Sequence, residues 1–536
     1  MSTTPEASGR GPSPAVDADT RRLHELGYAQ ELTRGMGWFS NFAVSFTIIS
    51  ILTGGITTYY LAMAAGGPRA ATLGWLFVGL MSLLVALAMA EVCSAYPTAG
   101  GLYYWAAKMA PPQHAAVASW FTGWFNLVGQ VAVTASIDFG LATIVGFFLQ
   151  LTFLPNFAAL PWQILLIYVL ILAAHGLLNT FGVRLVARLN DISVWWHLAF
   201  TAIVVVVLFA IPPTKTPLGD VFTAYSNTTG FGGGGLTTIW VTAVGLMLAQ
   251  YTITGFDASA HMTEETRDAA VSGPRGIVTA VWVSVLAGFV LMVGLSVAVP
   301  FAVGSDDYAT LAAKGILAGP SIIVDAAGGN LGKLLLLAVI VAQFFCGMAS
   351  VTANSRMIYA FARDGAIPGS QLWHQINPRT RTPTNGIWFA VVGAIILGLP
   401  SLYTRQGYAI AFFAIVSVAV VGLYVSYVIP VFLRRVNRGF VPGPWQLGRA
   451  SAVIGWAAIV WVIFILFPLM GPQFNPFSTG TFEPNAFNFA PIVMLAVIGF
   501  AGIYWLVSAR NWFTGPRVQG SPDELAAVER DLSLPL

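Results

Sequence analysis

Long apolar segments recur along the whole chain, and a short polar connection separates each one from the next. A helix needs about 20 predominantly apolar residues to cross the ~30 Å hydrocarbon core of a bilayer. By this measure the pattern predicts an all-α polytopic membrane protein with 12 transmembrane helices. Their predicted ranges are 38–65, 70–95, 116–149, 161–182, 186–211, 237–262, 276–303, 331–361, 385–401, 407–433, 450–470 and 489–509.

The composition strengthens this prediction. Of 536 residues, 57% are hydrophobic and only 9% are charged, whereas about 25% of a soluble protein is charged. The net charge of +3 is scattered, with no zinc-finger or phosphate-loop spacing, so no nucleic-acid partner and no cofactor is expected. Cys93 and Cys346 lie inside apolar segments and are expected to be packing residues, neither a disulfide nor a metal site.

Basic residues predict the orientation, because Lys and Arg concentrate in cytoplasmic connections. With the N-terminus inside, thirteen of them fall on the cytoplasmic side and five on the other, so both termini are expected in the cytoplasm. The thirteen are Lys108, Arg184, Arg188, Arg267, Arg275, Arg356, Arg363, Arg379, Arg381, Arg434, Arg435, Arg438 and Arg449. The five are Arg69, Lys215, Lys314, Lys333 and Arg405.

Two of the predicted helices are interrupted in the same way. Helix one contains Thr53-Gly54-Gly55, and helix six contains Thr254-Gly255 with Asp257 two residues later. Helices one and six begin the two halves of a five-plus-five inverted repeat, and matched interruptions of this kind indicate a transporter site. The alternative is that these glycines only allow neighbouring helices to pack closely. Asp257 is a candidate functional residue, because a charge at membrane depth costs about 2.5–3.5 kcal/mol.

An interrupted helix leaves backbone N–H and C=O groups unpaired, which is tolerated at membrane depth only inside protein or beside a wet cavity. We expect N–H groups around Ile56 and Asp257 to suit a carboxylate. The carbonyl groups of residues 52–54 and 253–254 suit an ammonium group or a small cation, so an amino-acid-like zwitterion satisfies both. The candidate substrate-binding residues are Thr53, Gly54, Gly55, Ile56, Tyr251, Thr254, Gly255, Phe256 and Asp257.

Several side chains have plainer alternatives. Asp257 either caps the inner half of helix six, since Asp is a favoured N-cap, or contacts a substrate amine or a proton. Tyr251 is either an aromatic lid or a packing residue. Asp138 in helix three is the deepest carboxylate, and the histidines His175 and His197 are either hydrogen-bonded interior residues or proton relays.

Longer motifs resemble the amino acid–polyamine–organocation (APC) transporter superfamily. Glu91 with the segment 96–105 is similar to the signature of its second helix, and Gly255-Phe256-Asp257 with Glu264-Glu265 is similar to its broken sixth helix. The segment 355–368 resembles the eighth helix and the loop after it. The segments 26–34 and 256–265 resemble the amino acid/choline transporter subfamily, whose members carry γ-aminobutyrate, amino acids, choline or related amines. The resemblance covers roughly residues 25 to 510.

The resemblance implies an inverted five-helix repeat of the LeuT/APC type, with broken helices 1 and 6. It divides the chain into a cytoplasmic tail (1–35), a ten-helix transport core (36–435), helices 11 and 12 (436–510) and a second cytoplasmic tail (511–536). It implies that the backbone of residues 53–55 holds the substrate carboxylate and that Tyr251 is the aromatic gate.

The resemblance leaves the coupling ion open between H+ and Na+. Sodium-coupled relatives use hydroxyl groups on helix eight, where Ser350 is the nearest match and Ala349 replaces the second hydroxyl. Certain proton-coupled relatives place a lysine in helix five, where this chain has none and His197 is a substitute candidate. Ser350, Asp138 and His197 are therefore the coupling-ion candidates.

We therefore expect a plasma-membrane permease for an amino acid or amine, most similar to γ-aminobutyrate permeases, driven by protons or by exchange. A choline, quaternary-amine or polyamine transporter is the alternative, because Tyr and Phe rings bind such cations without a carboxylate. A channel or receptor is the alternative of a different class. An enzyme is not expected, because the helices contain neither His-Glu-x-x-His nor Gly-x-Ser-x-Gly.

Overall fold

The computed structural model describes residues 17–303, 308–403 and 407–533. Arg405, which contributed to the predicted orientation, lies outside these residues, as do residues 1–16 of the predicted N-terminal tail. The described chain is helical, and its only β pairing consists of isolated bridges between Met36 and Thr266 and between Ala65 and Asn227.

The α-helices are numbered in chain order. They are α1 Ala18–Glu25, α2 Trp38–Ile49, α3 Gly54–Thr57, α4 Tyr59–Ala64, α5 Gly67–Ala95, α6 Leu102–Met109, α7 Ala115–Thr152, α8 Pro161–Phe181, α9 Val183–Ala210, α10 Leu218–Thr223, α11 Gly235–Gly245, α12 Met247–Thr252, α13 Ala258–His261, α14 Ala269–Val303, α15 Tyr308–Ala313, α16 Ala318–Ala327, α17 Gly329–Arg363, α18 Ser370–Trp373, α19 Thr384–Gly398, α20 Gly407–Val436, α21 Ser451–Met470, α22 Ala490–Val507 and α23 Pro522–Ser533. Short 3-10 helices lie at Pro112–His114, Thr263–Glu265, Gly315–Leu317, Leu399–Leu402, Gly448–Ala450, Pro484–Ala486 and Ala509–Asn511.

Eleven segments of the described chain are long and apolar enough to cross a membrane. The remaining predicted span is helix six, which is divided into α11, α12 and α13 and therefore has no single helix of sufficient length. The predicted twelve-helix inverted-repeat architecture is confirmed. Some helices extend beyond their predicted ends, as α7 does.

The first helix of each half is broken near its predicted interruption, although in helix one Gly54 and Gly55 begin α3 and the break precedes them. Helix one leaves helical geometry over residues 50–53, between α2 and α3, and helix six over residues 253–257, between α12 and α13. Gly255 has a φ of +88°, and a Cβ there would lie 2.5 Å from the Ile48 side chain. Glycine is therefore required at this position both by the left-handed backbone and by the close approach of helix one.

Close packing of α7 against α20 positions two tyrosines at the break in helix six. The helices meet at Gly129 and Gly422, where a Cβ on Gly422 would lie 2.6 Å from the Gly129 Cα. Small residues of this kind let helix backbones approach each other in membranes. Further along α20, Tyr424 donates to the Ile253 carbonyl at 2.8 Å, and Tyr427 donates to Asp257.

Both described ends of the chain lie on one face of the molecule, which we call the tail face. His24 of α1 lies 2.7 Å from Glu529 of α23, and the Gln519 N–H donates to the Gly27 carbonyl at 2.9 Å. Asp364, at the tail-face end of α17, accepts hydrogen bonds from Tyr28 and other donors. Burial raises the pKa of the Asp364 carboxyl, against the opposing effect of Arg363.

The crossing of α7 and α20 gives a prediction about stability. Gly422→Val places a branched side chain against the Gly129 backbone, so we expect it to lower the free energy of unfolding by about 1–3 kcal/mol. Gly499→Val on α22 is the matched control, because a Cβ at Gly499 has no atom within 4 Å. The measurement is thermal unfolding of both variants in the same detergent. Equal melting temperatures for the two would contradict the packing argument.

Candidate functional site

A small cavity lies where the two interruptions face each other. Its volume is about 20 Å³, which is room for about one water molecule. It is lined by Ile48, Ile49, Thr53, Gly54, Thr57, Val133, Ile137, Tyr251, Thr252, Thr254, Gln343 and Cys346. None of these described side chains is charged, so the polar groups in the lining are hydroxyls, one amide, the Cys346 thiol and the backbone.

Several backbone N–H groups at the two breaks are unpaired. Among the described residues, no acceptor reaches the N–H of Gly55 or Ile56 at the start of α3, or those of Phe256 and Asp257 before α13. A buried unpaired N–H group is costly, and more than nine in ten are paired in native structures. Their concentration at the two breaks is the arrangement expected of an anion-binding site.

The carbonyl groups predicted to face a cation are only partly free. Within the described chain no donor reaches the carbonyls of Leu52 and Thr254. The carbonyl of Gly54 accepts from the Thr58 N–H at 3.1 Å, and that of Ile253 accepts from the Tyr424 hydroxyl. Two carbonyl groups, one from each broken helix, therefore remain available to an ammonium group.

Asp257 is fully buried, lies outside the cavity lining and is surrounded by donors from three helices. The Tyr427 hydroxyl donates to Oδ1 at 2.6 Å, and Gln130 and Asn126 donate to Oδ2 at 2.8 and 3.2 Å. His261 Nε2 lies 3.3 Å from Oδ2. The residue begins α13, but its carboxylate makes no capping hydrogen bond. Its contacts instead tie helix six to α7 and α20.

Tyr251 lines the cavity on the side away from the tail face. Its hydroxyl donates to Ser136 Oγ on α7 at 2.8 Å, which joins helix six to helix three. Beyond it lies a vestibule of about 350 Å³ that includes Tyr60, Phe413 and Glu483 in its lining. The Tyr251 side chain and its hydrogen bond to Ser136 therefore lie at the end of the cavity that is away from the tail face.

Ion pairs close the tail-face side of the cavity. Glu264 lies 3.0 Å from Arg363, and Glu265 lies 2.7 Å from Arg356, so both pairs join the end of helix six to α17. The Arg363 guanidinium also lies 3.8 Å from the centre of the Tyr28 ring. The tail-face end of helix six is therefore joined to its neighbours by two ion pairs, and its other half by the Tyr251 hydrogen bond.

The three coupling-ion candidates have different surroundings. Ser350 Oγ lies 2.8 Å from Thr134 Oγ1, so its hydroxyl is engaged by α7. His197 Nε2 lies 2.7 Å from Ser50 Oγ and thereby supports the break in helix one. Asp138 Oδ2 lies 3.1 Å from His175 Nδ1, and both side chains are fully buried.

The structure adds residues that the sequence reasoning did not select. Gln343 lines the cavity with its side-chain carbonyl unpaired, and Gln130 and Tyr427 hold Asp257. Gln130 and Gln343 are amide side chains inside apolar spans, which is a signal that the sequence does contain. Their partners are far away along the chain, so the sequence alone does not indicate what they bind.

Comparison with known proteins agrees with this architecture. A family model described as amino acid permease matches residues 36–498. Amino-acid permease BAT1 of Arabidopsis thaliana is 40% identical, over 94% of this chain and 97% of its own length. The BAT1 homolog of Oryza sativa subsp. japonica is 38% identical, over 95% and 97%. A GABA-specific permease of Saccharomyces cerevisiae is 29% identical, over 96% and 90%.

The matched region contains both broken helices, the cavity between them and the ion pairs that close the tail face. The resemblance to the APC superfamily is therefore confirmed, and with it an amino acid transporter embedded in a membrane. The chain belongs to the amino acid permease family.

Proposed function

We propose that this permease carries an amino acid of the γ-aminobutyrate type across the plasma membrane by alternating access. The observation that carries the proposal is the cavity between two breaks whose backbone N–H and C=O groups are unpaired. The similarity to a GABA-specific permease supports the substrate class. A substrate with one carboxylate and one ammonium group matches the two kinds of free backbone group.

In this proposal the backbone recognises both charges of the substrate. The N–H groups of Gly55 and Ile56 hold the carboxylate, and the carbonyls of Leu52 and Thr254 hold the ammonium group. A cavity of about 20 Å³ is too small for any amino acid. Substrate binding therefore requires Tyr251 or the tail-face ion pairs to move, which is the motion that alternating access needs.

The two closures are the gates of the proposed cycle. With both termini in the cytoplasm, the vestibule faces outward and the pairs of Glu264 and Glu265 form the inner gate. The ten-helix core 36–435 carries the site and both gates, and helices 11 and 12 (436–510) pack at its side. The described parts of the two tails 1–35 and 511–536, residues 17–35 and 511–533, lie at the inner face. The driving force is a proton gradient or exchange for an internal amino acid. The Ser350 hydroxyl is engaged in a hydrogen bond with Thr134, which does not support a sodium site there.

Uptake into proteoliposomes tests the proposed function. We expect saturable uptake of labelled γ-aminobutyrate that unlabelled amino acids inhibit and choline does not, because a zwitterion uses both sets of free backbone groups. Planar-bilayer recording of the same protein should give no unitary currents. Inhibition by choline together with a lack of γ-aminobutyrate uptake would overturn the substrate class, and unitary currents would indicate a channel.

Gly255→Ala tests the break in helix six. Alanine at φ +88° costs about 1–2 kcal/mol and its Cβ meets Ile48, so we expect γ-aminobutyrate binding to weaken by about tenfold. Gly480→Ala is the control, since Gly480 has a φ of +86° and a Cβ there has no atom within 4 Å. Binding is measured by scintillation proximity on purified protein. Unchanged binding in Gly255→Ala would separate this break from the substrate site.

Asp257→Asn distinguishes a positioning role from substrate contact. The new amide N–H₂ would face other donors, including Gln130 and Tyr427, so we expect the free energy of unfolding to fall by about 1–3 kcal/mol. The dissociation constant for γ-aminobutyrate should change little, because both Asp257 oxygens already accept hydrogen bonds from Tyr427, Gln130 and Asn126. Asp325→Asn at a partly exposed site is the control. Lost binding at unchanged stability would assign Asp257 to the substrate.

A further inference from the structure

We propose that Asp138 and His175 form a proton-binding site behind the cavity wall, and that its protonation is coupled to the movement of helix one. This inference rests on the transport function proposed above and names the ion that drives it. The site lies between α7, α8 and α17, and neither residue belongs to the proposed substrate contacts.

The pair is incompletely satisfied. His175 Nδ1 meets Asp138 Oδ2 at 3.1 Å, while Asp138 Oδ1 and His175 Nε2 have no hydrogen-bond partner among the described residues. Buried polar side-chain atoms are in large majority hydrogen-bonded, so two vacant positions in one pair require an explanation. A proton binds to a lone pair that is not already used in a hydrogen bond. The pair has such positions at Asp138 Oδ1 and His175 Nε2.

Charge balance favours proton uptake at this pair. With neutral His175 the pair carries one negative charge, and with an added proton it becomes a neutral ion pair. An uncompensated buried charge is costly, whereas a buried ion pair with good geometry is tolerated. The His175 ring also lies 4.4 Å from the Phe344 ring, whose face stabilises a cation.

The charged side chains described on the neighbouring helices have other partners or are at least partly exposed. On α17, Arg356 and Arg363 pair with Glu265 and Glu264. On α9, Asp191 contacts Ser40, His197 contacts Ser50, and Arg184 and Arg188 are exposed.

Tyr168 of α8, Tyr251 of α12 and Cys346 of α17 are the titratable groups within electrostatic reach of Asp138, and each is a neutral hydroxyl or thiol. The helices α2 and α19, which pack against α17, contain no ionisable residue along their described lengths. On α20, the tyrosines Tyr424 and Tyr427 point to the break in helix six. The proton is therefore the charge that balances Asp138.

Two neighbouring residues connect the pair to the substrate cavity. Ile137, next to Asp138, lines the cavity, and so does Cys346, next to Gly347. A Cβ at Gly347 would overlap the Asp138 carboxylate, so the α17 backbone lies directly against the pair. The Cys346 thiol in turn donates to the Ile48 carbonyl at the end of α2, at 3.1 Å. A change in charge at Asp138 therefore acts on the α17 backbone that holds helix one at its break.

A polar path leads from the pair toward the tail face. Asn179, one turn after His175, donates to the His175 carbonyl at 3.0 Å and accepts from Thr352 at 2.6 Å. Asn179 and Thr352 line a second cavity of about 50 Å³ that extends to Glu265 and Arg356. This volume is enough for water, so polar side chains and space for water lie between the backbone of α8 next to His175 and the inner gate.

The side chains of His197 and Asp257, which the sequence also marked as candidates, have no vacant hydrogen-bonding position. His197 is partnered at both nitrogens, by Ser50 and by Ser193. Asp257 accepts hydrogen bonds at both carboxylate oxygens. Their hydrogen bonds fit fixed structural roles. His261 Nε2, 3.3 Å from Asp257 Oδ2, also has no hydrogen-bond partner in the described chain, but the carboxylate that it faces is already held by Tyr427 and Gln130. Among the described residues Asp138 has no side-chain partner other than His175, so we assign the proton to that pair.

Asp138→Asn and His175→Gln test the proposal in proteoliposomes with labelled γ-aminobutyrate. We expect both variants to keep exchange of internal for external substrate but to lose accumulation driven by an acid-outside pH gradient by at least about tenfold. His114→Gln and Asp325→Asn, at exposed and partly exposed positions, are the matched controls and should accumulate substrate as the unmodified protein does. Gradient-driven accumulation in Asp138→Asn equal to that of the controls would overturn the proposal.

A second measurement does not depend on transport. The purified protein and the variants Asp138→Asn and His175→Gln are titrated potentiometrically between about pH 8 and about pH 5, the range in which histidine titrates. We expect the unmodified protein to take up about one more proton per chain over this range than either variant. Superimposable titration curves would overturn the proton site. Failure of the unmodified protein to transport γ-aminobutyrate would overturn the proposed function instead, while the proton count would still support or reject the site.

Discussion

The structure depends on one constraint, which is that backbone N–H and C=O groups at membrane depth must be satisfied within the protein. The interruptions in helices one and six leave backbone groups without partners in their own helix. Side chains of other helices donate hydrogen bonds to several of the carbonyl groups near the breaks. Tyr424 of α20 donates to the Ile253 carbonyl, Ser45 of α2 donates to that of Phe256, and Cys346 of α17 donates to that of Ile48. These contacts explain why α2, α17 and α20 surround the breaks. The groups that remain unpaired are the ones available to a ligand.

Three buried carboxylates are satisfied in three different ways, and their proposed roles follow from the difference. Asp257 has donors on both oxygens from α7 and α20, which fixes its position. Glu264 pairs with Arg363 and also accepts the Ala99 N–H, so it keeps a hydrogen-bond donor if the ion pair separates. Asp138 has one histidine and a vacant oxygen. Breaking a buried ion pair leaves an uncompensated charge. A buried charged group can therefore lose its partner during the transport cycle only if another partner replaces it or if it is neutralised by a proton.

Sequence reasoning predicted the features that arise from local pattern. Apolar length located the twelve helices, and Thr-Gly interruptions located both breaks, because helix propensity and glycine freedom act over a few residues. It did not predict which side chains hold Asp257 or that Asp138 meets His175. Gln130 and Tyr427 lie 127 and 170 residues from Asp257, and such pairings are determined by how α7 and α20 pack. The sequence likewise marked Ser350 by resemblance, but its hydroxyl is engaged by Thr134 in the folded chain.

Backbone recognition has a consequence for how specificity arises in this architecture. The substrate charges are bound in this proposal by backbone N–H and C=O groups. These groups are present whatever the side chains are, once the helices are broken. Selectivity among amino acids then depends on the uncharged side chains that shape the cavity, such as Val133, Ile137 and Gln343. A methylene group changes binding by about 1–3 kcal/mol in an apolar pocket. A few substitutions in this lining are therefore enough to change the preferred amino acid while the breaks, the gates and the buried charges stay the same.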